Sequence, residues 1–224
     1  MKENICTIPI NDIFKYTQGC PVCRMYNLLE QQYVEYITGA AMMSPEIRVE
    51  TNKKGFCNTH YNMMSLSGPK LSTALLLQTH LDEIRNNLIK DDNSSLSKKQ
   101  IESIHKLNDT CYVCERIEYD INHLLRTVFA QYAIDESFRK LYESQEYLCL
   151  NHYSLIMEKS MEHDGIPKKA KNDFYIATNK LCKNYIDSLY NDVTHFTTMY
   201  DYRNQGGDWG NSKDSIERSI AFLK

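Results

Sequence analysis

A chain of 224 residues, 42% hydrophobic and 25% charged, has the composition of an ordinary globular protein and the length for one large core or two small ones. Its formal net charge of −3 lacks the basic bias of a dedicated nucleic-acid binder, and the clusters at Lys53–Lys54, Lys98–Lys99 and Lys168–Lys169 with Lys171 read as solvated faces. No run approaches the roughly eighteen apolar residues that span a bilayer, so no membrane segment is expected.

With only 8 Gly and 5 Pro, the chain lacks the turn-formers of a hairpin-rich β protein, and the expected class is all-α. The N-terminal MKENICTIPINDIFKY carries charges where a signal peptide would be apolar, which points to a cytoplasmic protein. In that reducing compartment the eight cysteines are expected to serve as ligands or reactive thiols rather than disulfides.

Met25, Leu28, Leu29, Tyr33, Tyr36, Ile37 and Ala40 recur at helical spacing, which predicts a helix from Cys23 to Ala40. Met43 to Phe56 contains Pro45 and Gly55 and is expected to be irregular. Residues 57–67 read as helical up to Gly68-Pro69, and Ala74, Leu77, Leu81, Ile84 and Leu88 then form a heptad-like stripe. Asp91-Asp92-Asn93-Ser94-Ser95 reads as a linker, followed by a short helix from Ser97 to Leu107 with Ser97 as its N-cap.

Val113, Ile117, Ile121, Leu124 and Val128 predict the next helix. After the Gly165-Ile166-Pro167 break comes the longest stripe, Phe174, Ala177, Leu181, Tyr185, Leu189, Val193, Phe196 and Tyr200, a helix of roughly 40 Å. Such stripes are read as core packing rather than as a cofactor box. In the tail, Trp209 is expected to pin its loop onto the core, ahead of a last helix opened by Asn211 or Ser212.

Laid over this pattern is a repeat. Cys20-Pro-Val-Cys23 is matched by Cys111-Tyr-Val-Cys114, and Cys57-Asn-Thr-His60 by Cys149-Leu-Asn-His152, with 34 positions from Cys23 to Cys57 and 35 from Cys114 to Cys149. Each CxxC is followed by an apolar helical stretch and each CxxH by a Gly/Pro break. The expected architecture is therefore an internally duplicated helical bundle with a first metal-binding unit, 1–92, and a second, 93–224, packed as one globule. Cys6 and Cys182 stand outside the repeat.

Two residues three apart at a helix start can share one ion, and the positive end of the helix favours thiolates there. Three thiolates and an imidazole suit tetrahedral zinc, one ion per unit and two per chain, with an iron–sulfur cluster as the alternative. The expected sets are Cys20, Cys23, Cys57 and His60, then Cys111, Cys114, Cys149 and His152. An arrangement in which the pairs are exchanged between units satisfies the same spacing.

Other chemistry finds less support. Cys20-Pro-Val-Cys23 has the form of a redox dithiol, but no βαβ pattern surrounds it and Tyr112 stands where a second Pro would be. Glu102/His105 and Asp120/His123 make one ExxH and one DxxH, short of a di-iron set, and read as helix-surface positions. His80, His163 and His195 are read as packed or solvent-facing, and Cys182 as a core thiol. Nucleotide-binding and hydrolase motifs do not occur.

The ordered set of CPVC with its helix, NKKGFCNTHY, LLLQTHLD, CYVCERIE, YLCLNHY and the DYRN…WGNSKDSIERSI tail resembles domain of unknown function 6062, a bacterial family frequent in anaerobic, clostridia-like organisms. The resemblance runs over nearly the whole chain and implies a cytoplasmic protein without an established activity. Tyr147-Leu148 precede Cys149 where the first unit has Gly55-Phe56, a difference that leaves the ligands untouched. The expected role is that of a non-enzymatic binding or adaptor protein with two structural zinc sites and a protein partner. An iron–sulfur or dithiol redox protein and a metal-responsive regulator or metal-handling protein are the alternatives.

Overall fold

The computed structural model describes residues 8–89 and 95–224. Among these every regular element is helical, and no helix is long and apolar enough to cross a membrane. Cys6, the rest of the MKENICT leader and Asp91–Ser94 of the expected linker lie outside the described residues; Ser95 has no regular structure.

The chain enters with α1 (Ile8–Lys15) and α2 (Pro21–Thr38), the second close to its expected span. A 3-10 turn at Ala40–Met43 leads into α3 (Pro45–Lys54), which corrects the irregular segment expected there. Pro45 occupies the first helical position behind Ser44 and starts the helix rather than breaking one. Gly55 ends it at φ 64°, where a Cβ would also meet the His80 ring at 3.1 Å.

Helices α4 (Asn58–Ser67) and α5 (Lys70–Asn87) flank the Gly-Pro break as expected. The heptad-like stripe of α5 is not its buried face, however. Leu81 is exposed, whereas Ser72, Thr73, Leu76 and His80 are buried. Their polar groups are satisfied locally: Thr73 Oγ1 donates to Met64 O at 3.1 Å, and His80 Nδ1 donates to Asn52 O at 2.9 Å. Helix α6 (Lys98–Asn108) carries the expected Ser97 cap, closed into a capping box by Gln100.

Helix α7 (Tyr112–Ile134) buries Val113, Ile117, Ile121, Leu125 and Val128, with Leu125 taking the inward place expected of Leu124. Helix α8 (Glu136–Glu143), which no stripe foretold, is capped by Asp135, whose carboxylate accepts from the N–H groups of Ser137 and Phe138. Helix α9 (Leu150–Met161) stops at the Gly165 break, where a Cβ would lie 2.2 Å from Ser160 O. Helix α10 (Lys171–Thr198) is the long one, and α11 (Ser215–Leu223) starts three residues beyond Ser212, after a 3-10 turn at Gly210–Ser212.

Contacts divide the chain into two compact units, Met1–Met25 with Asn122–Lys224, and Tyr26–Ile121. The division falls inside α2 and inside α7, and so differs from the expected halves 1–92 and 93–224.

The core of the first unit is aromatic. Phe174 of α10 meets Phe129 at 5.5 Å, Tyr132 at 5.1 Å and Tyr142 at 5.3 Å, and Phe14 of α1 meets Phe138 at 5.1 Å. Each such pair contributes about 0.5–1.5 kcal/mol beyond area burial. The Thr178 hydroxyl donates to Phe174 O at 2.7 Å, so the fully buried Tyr142 hydroxyl donates to Thr178 Oγ1 at 2.9 Å. Trp209 packs edge-on to Phe196 and Tyr200 at 5.5 and 5.8 Å, holding its loop on α10 as expected. His195 Nε2 adds a bond to Asp208 O at 2.9 Å.

Candidate metal centres

Four helices begin in the same way. Cys20, Cys57, Cys111 and Cys149 each stand one residue before α2, α4, α7 and α9, with their carbonyls closing the first turn onto Arg24, Tyr61, Glu115 and Tyr153. The second member of each pair, Cys23, His60, Cys114 or His152, is three residues on, one helical turn away on the same side. Orphan N–H groups and the helix dipole concentrate positive potential at this end, where thiolates are best tolerated.

The four pairs converge as two clusters, each with its four donor atoms within 4.8 Å of one another: Cys20, Cys23, Cys149 and His152, and Cys57, His60, Cys111 and Cys114. All eight residues expected as ligands are brought together, but in the exchanged combination. The sets expected from spacing, which joined Cys20 and Cys23 to Cys57 and His60, and Cys111 and Cys114 to Cys149 and His152, are corrected. Each observed cluster lies within a single compact unit, because α2 and α7 bring their N-terminal turns to units other than those implied by sequence order.

Both clusters have the dimensions of a tetrahedral thiolate site. Zinc with sulfur at about 2.3 Å and nitrogen at about 2.05 Å sets S···S edges of about 3.8 Å and S···N edges of about 3.6 Å. In the first cluster Cys23 Sγ is 3.7 Å from Cys149 Sγ, and His152 Nδ1 is 3.5, 3.2 and 3.1 Å from Cys20, Cys23 and Cys149. In the second, Cys57 Sγ is 3.8 Å from Cys114 Sγ, and His60 Nδ1 is 3.1, 3.2 and 3.5 Å from Cys57, Cys111 and Cys114. The donor set and the edges fit a four-coordinate ion, with the imidazole edges a few tenths of an ångström short.

The electrostatics favour a cation. In the first cluster, hydrogen bonds with Cys149 and Cys23 push the Cys20 thiol far down, while hydrogen bonds with Cys149 and Cys20, together with burial, push Cys23 far up. Burial acts to lower His152, but its bonds to Cys149 and Cys20 outweigh that and raise it to about 9. In the second cluster burial acts to raise Cys57, yet the N–H groups of His60 and Thr59 and the neighbouring thiols bring it below its ordinary value. Burial and Cys111 push Cys114 up.

Surrounding groups hold the ligands. His60, 2% exposed, turns Nε2 to within 3.1 Å of Glu30 Oε1, although the N–H direction misses an ideal hydrogen bond. Burial lowers the His60 pKa against the opposing pull of Glu30, a shift toward the neutral form that can ligate through Nδ1. Around the first cluster, Arg24 donates to the carbonyls of Ile13 (3.3 Å), Tyr16 (2.6 Å), Gly19 (3.0 Å) and Gln18, and to Gln145 Oε1 at 2.6 Å. Glu146 ties in from the other side, accepting from Gly19 N at 2.6 Å and donating its N–H to Thr17 O at 2.9 Å. Across the second cluster Tyr112 N donates to Gly55 O at 3.0 Å. Sequence reasoning passed over Glu30, Arg24 and Glu146, whose only local signal was that Arg24 follows Cys23.

The remaining candidates stay apart from both clusters. His105 is exposed, Asp120 accepts from Tyr33 Oη at 2.6 Å, and the exposed His163 pairs with Asp164 at 2.9 Å. Cys182 is buried, points its thiol at Leu148 O at 3.5 Å and is pushed up to about 11 by burial, as suits a core thiol.

No curated protein and no solved structure matches the chain. The match that exists is to a family model extending over residues 1–224, so the chain belongs to the family of unknown function DUF6062.

Proposed function

We propose that the protein is a metal-stabilised helical scaffold, a non-enzymatic binding or adaptor protein of the cytoplasm, holding two zinc ions in Cys3His sites. Cys20, Cys23, Cys149 and His152 ligate one ion, and Cys57, His60, Cys111 and Cys114 the other. The observation that carries this is the tetrahedral spacing of two independent donor sets, each at the first turns of two helices. Every thiolate is then ligated, leaving a net charge of about −1 per site, and no coordination position stays open for a substrate, as in structural zinc sites.

The repeated order and spacing of the four pairs are read as an ancestral duplication with halves near 1–92 and 93–224. The metal-binding units recombine pairs from both halves, so neither half carries a complete site. Each site therefore ties together segments distant in sequence within one compact unit, which suits a scaffold that presents a surface to a protein partner.

The test is metal content and coordination on protein purified anaerobically. Two zinc ions per chain, a colourless solution and three sulfur plus one nitrogen scatterers by X-ray absorption are expected. A brown sample containing iron would replace this reading with iron–sulfur chemistry. A folded, metal-free chain with all six site thiols open to titration would end it.

A further inference from the structure

The two clusters have equivalent donors but unequal shelter. In the first, Cys20 is 3% and Cys149 1% exposed, and Cys23 is half-buried. In the second, His60 and Cys111 are buried at 2% and 5%, but Cys114 is exposed and Cys57 half-buried. Oxidants must reach sulfur, so accessibility divides reactive from inert cysteines of equal basicity. The exposed sulfur also has a partner within reach: Cys57 Sγ, from a different segment, lies 3.8 Å away, against about 2.05 Å in a disulfide.

We propose that the Cys57/His60/Cys111/Cys114 site is a peroxide-responsive metal site, in which Cys114 and Cys57 are oxidised to a disulfide and the ion is expelled. The first cluster keeps its ion under the same conditions. This rests on the metal-binding reading above. Cys114 Sγ attacks the terminal oxygen of a hydroperoxide; the O–O bond breaks, the alcohol or water leaves with a proton, and Cys114 becomes a sulfenic acid. The Cys57 thiolate then attacks Cys114 sulfur, forming the S–S bond and releasing hydroxide, which takes a second proton and leaves as water. The two sulfurs lose two electrons and the peroxide gains them. The ion, left with Cys111 and His60 alone, departs to solvent. The consequence falls on Tyr26–Ile121, whose α4 and α7 starts that ion joins.

The experiment titrates the full-length, zinc-loaded protein with hydrogen peroxide in the presence of a colorimetric zinc indicator, with peptide mapping of the products. Metal content is measured first; fewer than two ions before any oxidant sinks the metal reading itself. From a two-ion protein, loss of one ion is expected in a first phase, together with a Cys57–Cys114 disulfide and retention of the second ion. C114H, which keeps four donors at the site and removes its exposed sulfur, is expected to load two ions and to lose that first phase. Release of both ions together, or a disulfide among Cys20, Cys23 and Cys149 accompanying the first ion, overturns the proposal. A Cys111–Cys114 disulfide overturns the assignment of Cys57 as the partner thiol.

Discussion

Glu30 lies seven residues after Cys23 and 27 before Cys57 in the sequence, yet it sits 3.1 Å from Nε2 of His60, the imidazole of the second cluster. The charge of a carboxylate there increases the basicity of the ring, so its removal is expected to weaken metal binding without touching a clustered side chain. Glu30→Gln is expected to lower zinc affinity at the second cluster by about 10–100-fold, read by competition with a calibrated chelator, while the first cluster is unaffected. Ligand pairing is testable at the same scale. In the observed combination, Cys57→Ser with Cys111→Ser disables one site and costs one ion, whereas Cys57→Ser with Cys20→Ser disables two and costs both. Pairing in sequence order would reverse these outcomes, and elemental analysis of the two double variants decides between them.

At the scale of elements, the starts of α2, α4, α6, α7 and α9 were legible because each is marked chemically. Ser97 followed by Gln100 closes a capping box, and each ligand pair marks the first turn of a helix. Two readings failed for physical reasons. Pro45 has the look of a breaker in the sequence, yet it stands where a helix has no hydrogen bond to lose. The apolar stripe of α5 points away from its buried face, where Leu76 lies among Ser72, Thr73 and His80 and the hydrogen bonds of Thr73 and His80 are satisfied by α3, α4 and the preceding turn. A hydrophobic period cannot register partners of that kind. Stability should follow the same distinction between marks and packing. Phe174→Ala removes the ring on which Phe129, Tyr132 and Tyr142 pack, and should cost about 3–5 kcal/mol. Ser97→Ala, on an exposed cap, should cost about 1 kcal/mol. Denaturant melts of the loaded variants check both, and comparable losses would mean that the aromatic cluster is not the core of its unit.

For the molecule as a whole, the eight cysteines and histidines that cluster were legible and their combination was not. The CxxC and CxxH spacings are dictated by one helical turn, whereas which pair meets which depends on where the helices carry them. Chain statistics favour local closure only weakly: Cys23 and Cys149 are separated by 126 residues, against 34 between Cys23 and Cys57. A loop almost four times longer costs roughly 1 kcal/mol more to close, less than one well-packed aromatic side chain contributes.

On the proposed metal binding, the same connectivity would make the ions part of the fold. The first cluster joins the start of α2 to the start of α9, and the second joins α4 to α7. Structural zinc in small modules contributes about 10–16 kcal/mol of apparent binding energy, as large as the roughly 5–15 kcal/mol by which whole domains are stable. Stripping both ions with a strong chelator is therefore expected to abolish the cooperative thermal transition and the near-ultraviolet dichroism of the buried tyrosines, and added zinc should restore both. Local helices with good caps would survive in part, so far-ultraviolet dichroism should fall less than the near-ultraviolet signal. A stripped chain that still melts in one sharp transition would mean that packing alone holds the helix starts together and that the ions only decorate them.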